Sequence, residues 1–466
     1  GGSRRDVKLC VLCHNPQTED PDTGNTVDMA VMTHKIHAPG LQQSPYVIWG
    51  FQSSVHDYSH ITYPQDVRNC DTCHEGATAA TTPSQSDVWY TKPSIRACGA
   101  CHTDVNFATG EGHRGGPQAD DSRCARCHIP DSGEEFDASI KGAHTIPEKS
   151  KQLAGLTSTI VSVSNTAPGQ KPTIVFSIKN GDGTAVDGTK LATFAPIQGG
   201  PTSDYQKYFR EDARAAATFD AATGHTTYTF TNAIPADATG SWGFSADIYR
   251  NATIKRASDG ESISVREAAF NPIRYAAVTG SVEAAPVVTP TAQCNVCHDR
   301  LALHGGQRQN VQECIICHNP TNTDVSRRPA NAGPAQSISM ELMIHRIHRG
   351  HNLTKEYTVY GFGNTAHDYT HVGYPGDLRN CDKCHAANSE QLPVPSGRVP
   401  VISPRDYFSP MGPGTAACLG CHDSKDAAAH AYLQTTTFPG SNNPAESCGV
   451  CHGTNAEWSV DKVHAR

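Results

Sequence analysis

"GFQSSVHDYSHITYPQDVRNCDTCH" at residues 50–74 returns without gaps as "GFGNTAHDYTHVGYPGDLRNCDKCH" at residues 361–385. Fifteen of the 25 positions are identical. The match extends on both sides. "MTHKIH" (32–37) pairs with "MIHRIH" (343–348), and "ACGACH" (97–102) with "ACLGCH" (417–422). "GGSRRDVKLCVLCHNP" (1–16) pairs with "GGQRQNVQECIICHNP" (305–320). A repeat this long is a duplication of whole domains, not a short solenoid period.

Both copies of the decisive stretch end in Cys-x-x-Cys-His, and so does every other cysteine pair in the chain. The 18 Cys of the 466 residues form nine such units. They are Cys10-Cys13-His14, Cys70-Cys73-His74, Cys98-Cys101-His102, Cys124-Cys127-His128, Cys294-Cys297-His298, Cys314-Cys317-His318, Cys381-Cys384-His385, Cys418-Cys421-His422 and Cys448-Cys451-His452. This is the attachment motif of c-type haem: two thiols bond the porphyrin and the next His lies beneath the iron. Zinc ribbons and thioredoxin-like pairs also use Cys-x-x-Cys, but neither requires His directly after the second Cys. Nine covalently attached c-type haems are therefore expected. No Cys is left for a disulfide while all nine are attached.

Apolar residues make up only 37% of the chain, low for this length. Buried porphyrins would supply much of the missing core. Haem is joined to thiols on the exported side of the bacterial inner membrane, so a periplasmic or extracellular protein is expected. No stretch reaches 18 apolar residues, so no membrane-crossing helix is expected. Net charge is −8 before cofactors, and haem propionates add to it. That excludes nucleic acid as a natural partner.

The motifs cluster at the two ends. We expect a first multihaem domain at 1–146 with four motifs, a haem-free β domain at 147–288, and a second multihaem domain at 289–466 with five. The middle region alternates apolar and polar residues ("STIVSVSNTAPGQKPTIVFSIKNGDGT") and turns at Asn, Gly and Asp. It reads as an antiparallel β-sandwich or Greek-key barrel. The haem regions read as loops with short helices, one of them around "MELMIHRIHRG".

Fifteen His lie outside the motifs, and nine irons need up to nine further ligands. Imidazole on both faces suits electron transfer. Six positions occur in both copies: His34/His345, His37/His348, His56/His367, His60/His371, His113/His430 and His144/His464. His304 has its counterpart just before Gly1. His345 and His348 lie three apart on one side of a helix and are expected to serve two neighbouring irons; so are His34 and His37. His304, His430 and His464 each follow a motif closely and complete the expected set with His113 and His144. His56 and His367 are read as hydrogen-bonding a propionate or backbone group. His60 and His371 rank below them, and His225 is read as structural. No catalytic residue is expected. A Cys-x-x-Cys-Lys motif, which would mark a reductase site, does not occur.

Two haem clusters around a β domain, with "LALHGG", "MxHxIH", "HDY" and "YPxDxRNCxxCH", resemble the outer-membrane decahaem cytochromes of the OmcA/MtrC family. The resemblance implies a cell-surface electron carrier rather than a substrate-specific enzyme. Its partners would be other multihaem cytochromes or an outer-membrane porin–cytochrome conduit, with metal oxides, flavins or electrodes as acceptors. A periplasmic shuttle or a self-assembling conductive filament is the alternative. This chain departs from the family pattern. It lacks the first β domain, the first haem motif, a lipid-attachment Cys and a spare Cys pair in the β insert. By the repeat, a His should stand just before Gly1 and a haem motif a few residues earlier, giving ten haems in a longer precursor. One iron of the first half would then lack a distal ligand, and one of His34, His37, His113 and His144 would lack its iron.

Overall fold

The computed structural model describes residues 4, 6–74, 86–441 and 443–464. All 24 His and all 18 Cys fall among them. The expectation about what precedes Gly1 lies outside the described residues. The chain separates into two compact units, Gly1–Gln152 with Thr253–Ile263, and Leu153–Ala252 with Ser264–Arg466.

In the second unit, the middle region forms nine strands. These are β1 (Leu156–Ser164), β2 (Thr173–Asn180), β3 (Thr193–Gly200), β4 (Lys207–Arg210), β5 (Thr218–Asp220), β6 (His225–Thr229), β7 (Ser241–Lys255), β8 (Ser262–Ala268) and β9 (Arg274–Ala277). The ends of β7 and β8 fall in the hairpin tip that clusters with the first unit. One sheet runs β1-β2-β6-β5. The other runs β8-β7-β3-β4, with β9 also paired to β7. Each sheet turns one apolar row inward, which gives period-two burial. Along β2, Ile174, Phe176 and Ile178 are buried while their neighbours are not. They meet Phe194, Trp242, Phe244 and Ile248 in the main core. The antiparallel sandwich expected from the sequence is present.

β3 and the first eight residues of β7 break the alternation, because nearly every residue there is buried on both faces. A strand covered on both sides has a second partner. Here it is the helix Val311–Cys317, which carries a haem motif. Ile197 and Tyr205 pack against Ile316 in a second small core. Next to it, Asp247 on β7 takes both nitrogens of Arg308 at 3.0 Å and Arg210 at 2.6 Å. Burial opposes the Asp247 charge, but the two guanidiniums outweigh it and hold the carboxyl below its usual range. Bidentate pairing of this kind also fixes orientation. The sandwich is thus docked on the second set of motifs by both apolar and ionic contacts.

The haem regions contain little regular structure. The repeat gives each unit an equivalent helix, α1 (Met29–His37) and α2 (Met340–Arg349), and the second unit adds another of nine residues, Lys425–Leu433. Each also has a short hairpin, Val47–Trp49 with Val55–Asp57, and Thr358–Tyr360 with Ala366–Asp368. The same buried donors and acceptors hold both hairpins. The Trp49 N–H donates to Asp20 at 2.8 Å, and the Tyr360 N–H to Asp324 at 3.0 Å. The Tyr46 hydroxyl donates to the Thr26 carbonyl, and Tyr357 to that of Ser337. Among the described residues, no helix is long and apolar enough to cross a membrane.

Two predictions test this packing. A Cβ at Gly199 would lie 2.5 Å from Ile316. Gly199→Ala should therefore cost about 1–3 kcal/mol through overpacking, read as a lower denaturation midpoint by far-ultraviolet circular dichroism. The second concerns Glu211. Burial would raise its carboxyl, but donors from Thr231, Tyr228 and Asn232 outweigh this and hold it at about 2. A depressed carboxyl contributes stability above its unfolded pKa and loses it as pH falls through the folded one. The sandwich should weaken between about pH 4.5 and pH 2, and Glu211→Gln should flatten that acid limb in pH-dependent unfolding.

Candidate functional site

Every motif folds as one helical turn. In eight of the nine, the His N–H donates to the carbonyl of the first Cys, four residues back, at 2.8–3.0 Å. The ninth, Cys294–His298, lies inside the helix Thr291–His298. Positions i, i+3 and i+4 share one helix face. Both thiols and the imidazole of each motif therefore point the same way, as attachment to one porphyrin demands.

Opposite eight of these imidazoles stands another. His34 faces His74 with ring centroids 6.3 Å apart, His102 faces His144 at 6.2 Å, and His113 faces His128 at 6.2 Å. In the second unit, His298 faces His348 at 6.3 Å, His304 faces His318 at 5.9 Å, and His345 faces His385 at 6.0 Å. His422 faces His464, and His430 faces His452, both at 6.2 Å. A metal–imidazole bond of about 2.0 Å on each side, plus about 1.1 Å from each nitrogen to its ring centre, spans about 6.2 Å. The pairs are too far apart for direct contact and spaced for one iron between them. The residues present fit haem. No group of three or more His, Cys, Asp or Glu converges as a metal-ion cage would, among the described residues.

In several of these residues the other ring nitrogen is tied down. Nδ1 of His34 meets the Ala30 carbonyl at 2.6 Å, and that of His348 the Ile344 carbonyl at 2.9 Å. His144 and His464, at the ends of one-turn helices, reach the Ile140 and Val460 carbonyls at 2.7 and 2.9 Å. The motif residues His318 and His452 bond the Ile338 and Trp458 carbonyls at 2.8 and 2.9 Å. A carbonyl can only accept, so Nδ1 carries the proton and the Nε2 lone pair is left for a metal. Burial lowers the pKa of several of these imidazoles, His345 and His304 to about 4. The neutral, ligating form is the one present near pH 7.

The two His of the longer helix face different motif residues: His345 faces His385 and His348 faces His298. His34 likewise faces His74. His37 does not face a motif His. It lies edge-on to Tyr63 at 5.5 Å, as His348 does to Tyr374 at 5.7 Å. These two tyrosines were visible in the repeat but carry no haem signal of their own. His56 bonds the Ser54 hydroxyl at 3.0 Å rather than a backbone group. His225 opens β6, paired with Ser177 of the neighbouring strand.

Neighbouring motifs lie close together. In the second unit the Cys314 thiol is near Cys294, Cys294 and Cys297 near Cys384, Cys381 near Cys421, and Cys418 near Cys448; each pair interacts electrostatically. In the first unit the same holds for Cys70 with Cys101 and Cys98 with Cys124. Haems attached there would form an unbroken succession within the five-motif unit.

Known proteins share this arrangement. Multiheme cytochrome MtrC of Shewanella baltica (strain OS185) is 22% identical over 510 residues, covering 97% of this chain; the chain spans 66% of that relative's length. The crystal structure of the outer membrane decaheme cytochrome OmcA superposes on all of the chain and 72% of its own length, with a TM-score of 0.64 and 21% identity. That of MtrC from Shewanella baltica OS185 covers 97% of this chain and 71% of its own, with a TM-score of 0.64 and 18% identity. These likenesses establish the fold. The family model "Outer membrane cytochrome MtrC/MtrF-like, domains II/IV" matches residues 1–144 and 287–465, the two motif-bearing regions. With two copies of that model over most of its length, the chain belongs to the MtrC/MtrF-like outer membrane cytochromes.

Proposed function

We propose that this chain is a multihaem electron-transfer conduit working at the outside of the bacterial outer membrane. It carries nine c-type haems, four in residues 1–146 and five in 289–466, with the haem-free sandwich of 147–288 as a docking spacer. The single observation that carries the reading is the set of eight facing imidazole pairs at 5.9–6.3 Å. His34, His144, His113, His348, His304, His345, His464 and His430 are the distal ligands in this proposal. Each bound haem supplies a one-electron ferric/ferrous couple.

The chain's own residues set the conditions for fast transfer. A His on each face excludes substrate and water from the iron. Where an Nδ1 carbonyl bond is present, as at His34, His144, His348 and His464, it holds the imidazole in one orientation and tautomer through the redox change. Motifs whose thiols lie near one another bring successive porphyrins within tunnelling range. No bond of a substrate is made or broken. Metal oxides, soluble flavins, electrodes or partner cytochromes are the acceptors that suit such a chain. An outer-membrane porin–cytochrome conduit is the donor that suits it.

His345→Ala and His348→Ala should each turn one different iron high-spin in the oxidised protein, with the thioether-bound haem count unchanged by mass spectrometry. Electron paramagnetic resonance of the two single variants and the double variant reads this directly. If the double variant changes only one iron, the assignment fails.

A further inference from the structure

The facing imidazole pairs differ in the angle between their ring planes. His345 and His385 lie at 17°, His34 and His74 at 21°, and His113 and His128 at 25°, close to stacked. His102 and His144 stand at 78°, His298 and His348 at 79°, and His430 and His452 at 84°, close to crossed. His304 with His318 and His422 with His464 fall between, at 36° and 54°. Bonding at Nδ1 does not by itself decide the angle. His34 and His348 both bond the carbonyl four residues back, yet one pair is stacked and the other crossed. Hydrogen-bond directions at a carbonyl are broadly spread, so that bond alone leaves the ring some rotation.

A neighbouring ring separates the two kinds. In two of the crossed pairs an aromatic side chain stands perpendicular to the distal imidazole. Tyr374 meets His348 at 5.7 Å and 87°, and Trp89 meets His144 at 6.2 Å and 88°. Among the described residues the stacked pairs have no such perpendicular neighbour; Phe107, beside His113, is tilted at 56°. Both aromatic rings are themselves held. A Cβ at Gly376 would lie 3.0 Å from the Tyr374 ring, which therefore rests against bare backbone there. Trp89 packs edge-on to Tyr90 at 5.0 Å, and Lys141, in the helical turn that ends at His144, lies 4.9 Å from the Tyr90 ring centre. Edge-to-face and cation–π contacts of this kind favour fixed ring orientations. The repeat places Tyr63 against His37 in the same way, at 5.5 Å and 76°.

We infer that Tyr374 and Trp89 are positioning residues, each holding one distal imidazole crossed to the motif imidazole it faces. The perpendicular contact is lost when the imidazole turns toward the stacked orientation, so the aromatic ring resists that rotation. The consequence falls on the iron between the two imidazoles. Each axial imidazole donates π density perpendicular to its own plane. Stacked imidazoles raise one iron d orbital above its partner and fix which of them holds the unpaired ferric electron. Crossed imidazoles leave the two orbitals nearly equal. The first arrangement gives a rhombic low-spin paramagnetic signal and the second a strongly anisotropic one. The orbital so selected is the one that gives and receives the transferred electron. The inference rests on the bis-histidine reading of these irons.

The test uses the oxidised, haem-loaded chain 1–466, read by low-temperature paramagnetic resonance, with haem content checked by mass spectrometry. The unsubstituted protein should show both low-spin signal classes. Tyr374→Leu and Trp89→Leu should each move one iron's intensity from the strongly anisotropic class to the rhombic one, with the haem count unchanged and no new high-spin iron. Tyr374→Phe keeps the ring and drops the hydroxyl, and it should retain the unsubstituted spectrum. The double Leu variant should keep the anisotropic signal of His430 with His452, the crossed pair that has no perpendicular aromatic neighbour among the described residues. Leu variants with unchanged anisotropic intensity would overturn the inference. So would a Tyr374→Phe spectrum that matches Tyr374→Leu, since the effect would then belong to the hydroxyl. A new high-spin iron in either Leu variant would also overturn it, because the ring would then support ligation rather than orientation. Failure of the bis-histidine reading would show instead in the unsubstituted protein, as the absence of both low-spin classes.

Discussion

Two imidazoles held about 6 Å apart are the constraint around which this molecule is arranged, and in several of them, such as His34 and His348, Nδ1 is committed to a carbonyl. An iron between them demands that spacing. The chain meets it eight times with residues far apart in sequence, such as His34 with His74 and His345 with His385. Most of the structure serves to hold those rings. Helices in the haem regions are short because each need only seat a His at its end or a motif on its face. α2 is among the longer ones, and it presents two His, His345 and His348, one turn apart. The buried pair Arg346–Asp406 at 2.6 Å fixes that helix between its two His.

The sandwich has a different role. Its strand β3 and the first eight residues of β7 are buried on both faces, which a free-standing two-sheet domain does not need. Their outer face meets Ile316 and Arg308, immediately before and within a motif helix. The apolar contact contributes most of the adhesion. The Asp247–Arg308–Arg210 cluster contributes orientation, since a buried ion pair gains little net stability over an apolar one. The sandwich therefore positions the Cys314–His318 motif without contributing a redox group of its own.

Much of this was legible in the sequence. The motifs name eighteen thiols and nine proximal His outright, because attachment chemistry needs those residues at that spacing. The period-two pattern of "KPTIVFSIKNGDG" identifies β2 and its turn. The repeat singled out nearly all the His that face a motif His. What it could not supply was the partner of each. Pairing depends on how loops such as 353–357 and 397–412 fold back, and those carry no periodic signal. The second buried face of β3 was also hidden, since Gly199 and Gln198 there do not read as interior residues. The partner of His56, the Ser54 hydroxyl two residues away, carried no signal of its own.

Near-infrared magnetic circular dichroism of the oxidised holoprotein tests the central claim most directly, because bis-imidazole ferric haem has its own charge-transfer band. The account predicts that the irons held between the eight facing imidazole pairs contribute that band. A spectrum dominated by methionine-ligated or high-spin haem would contradict it.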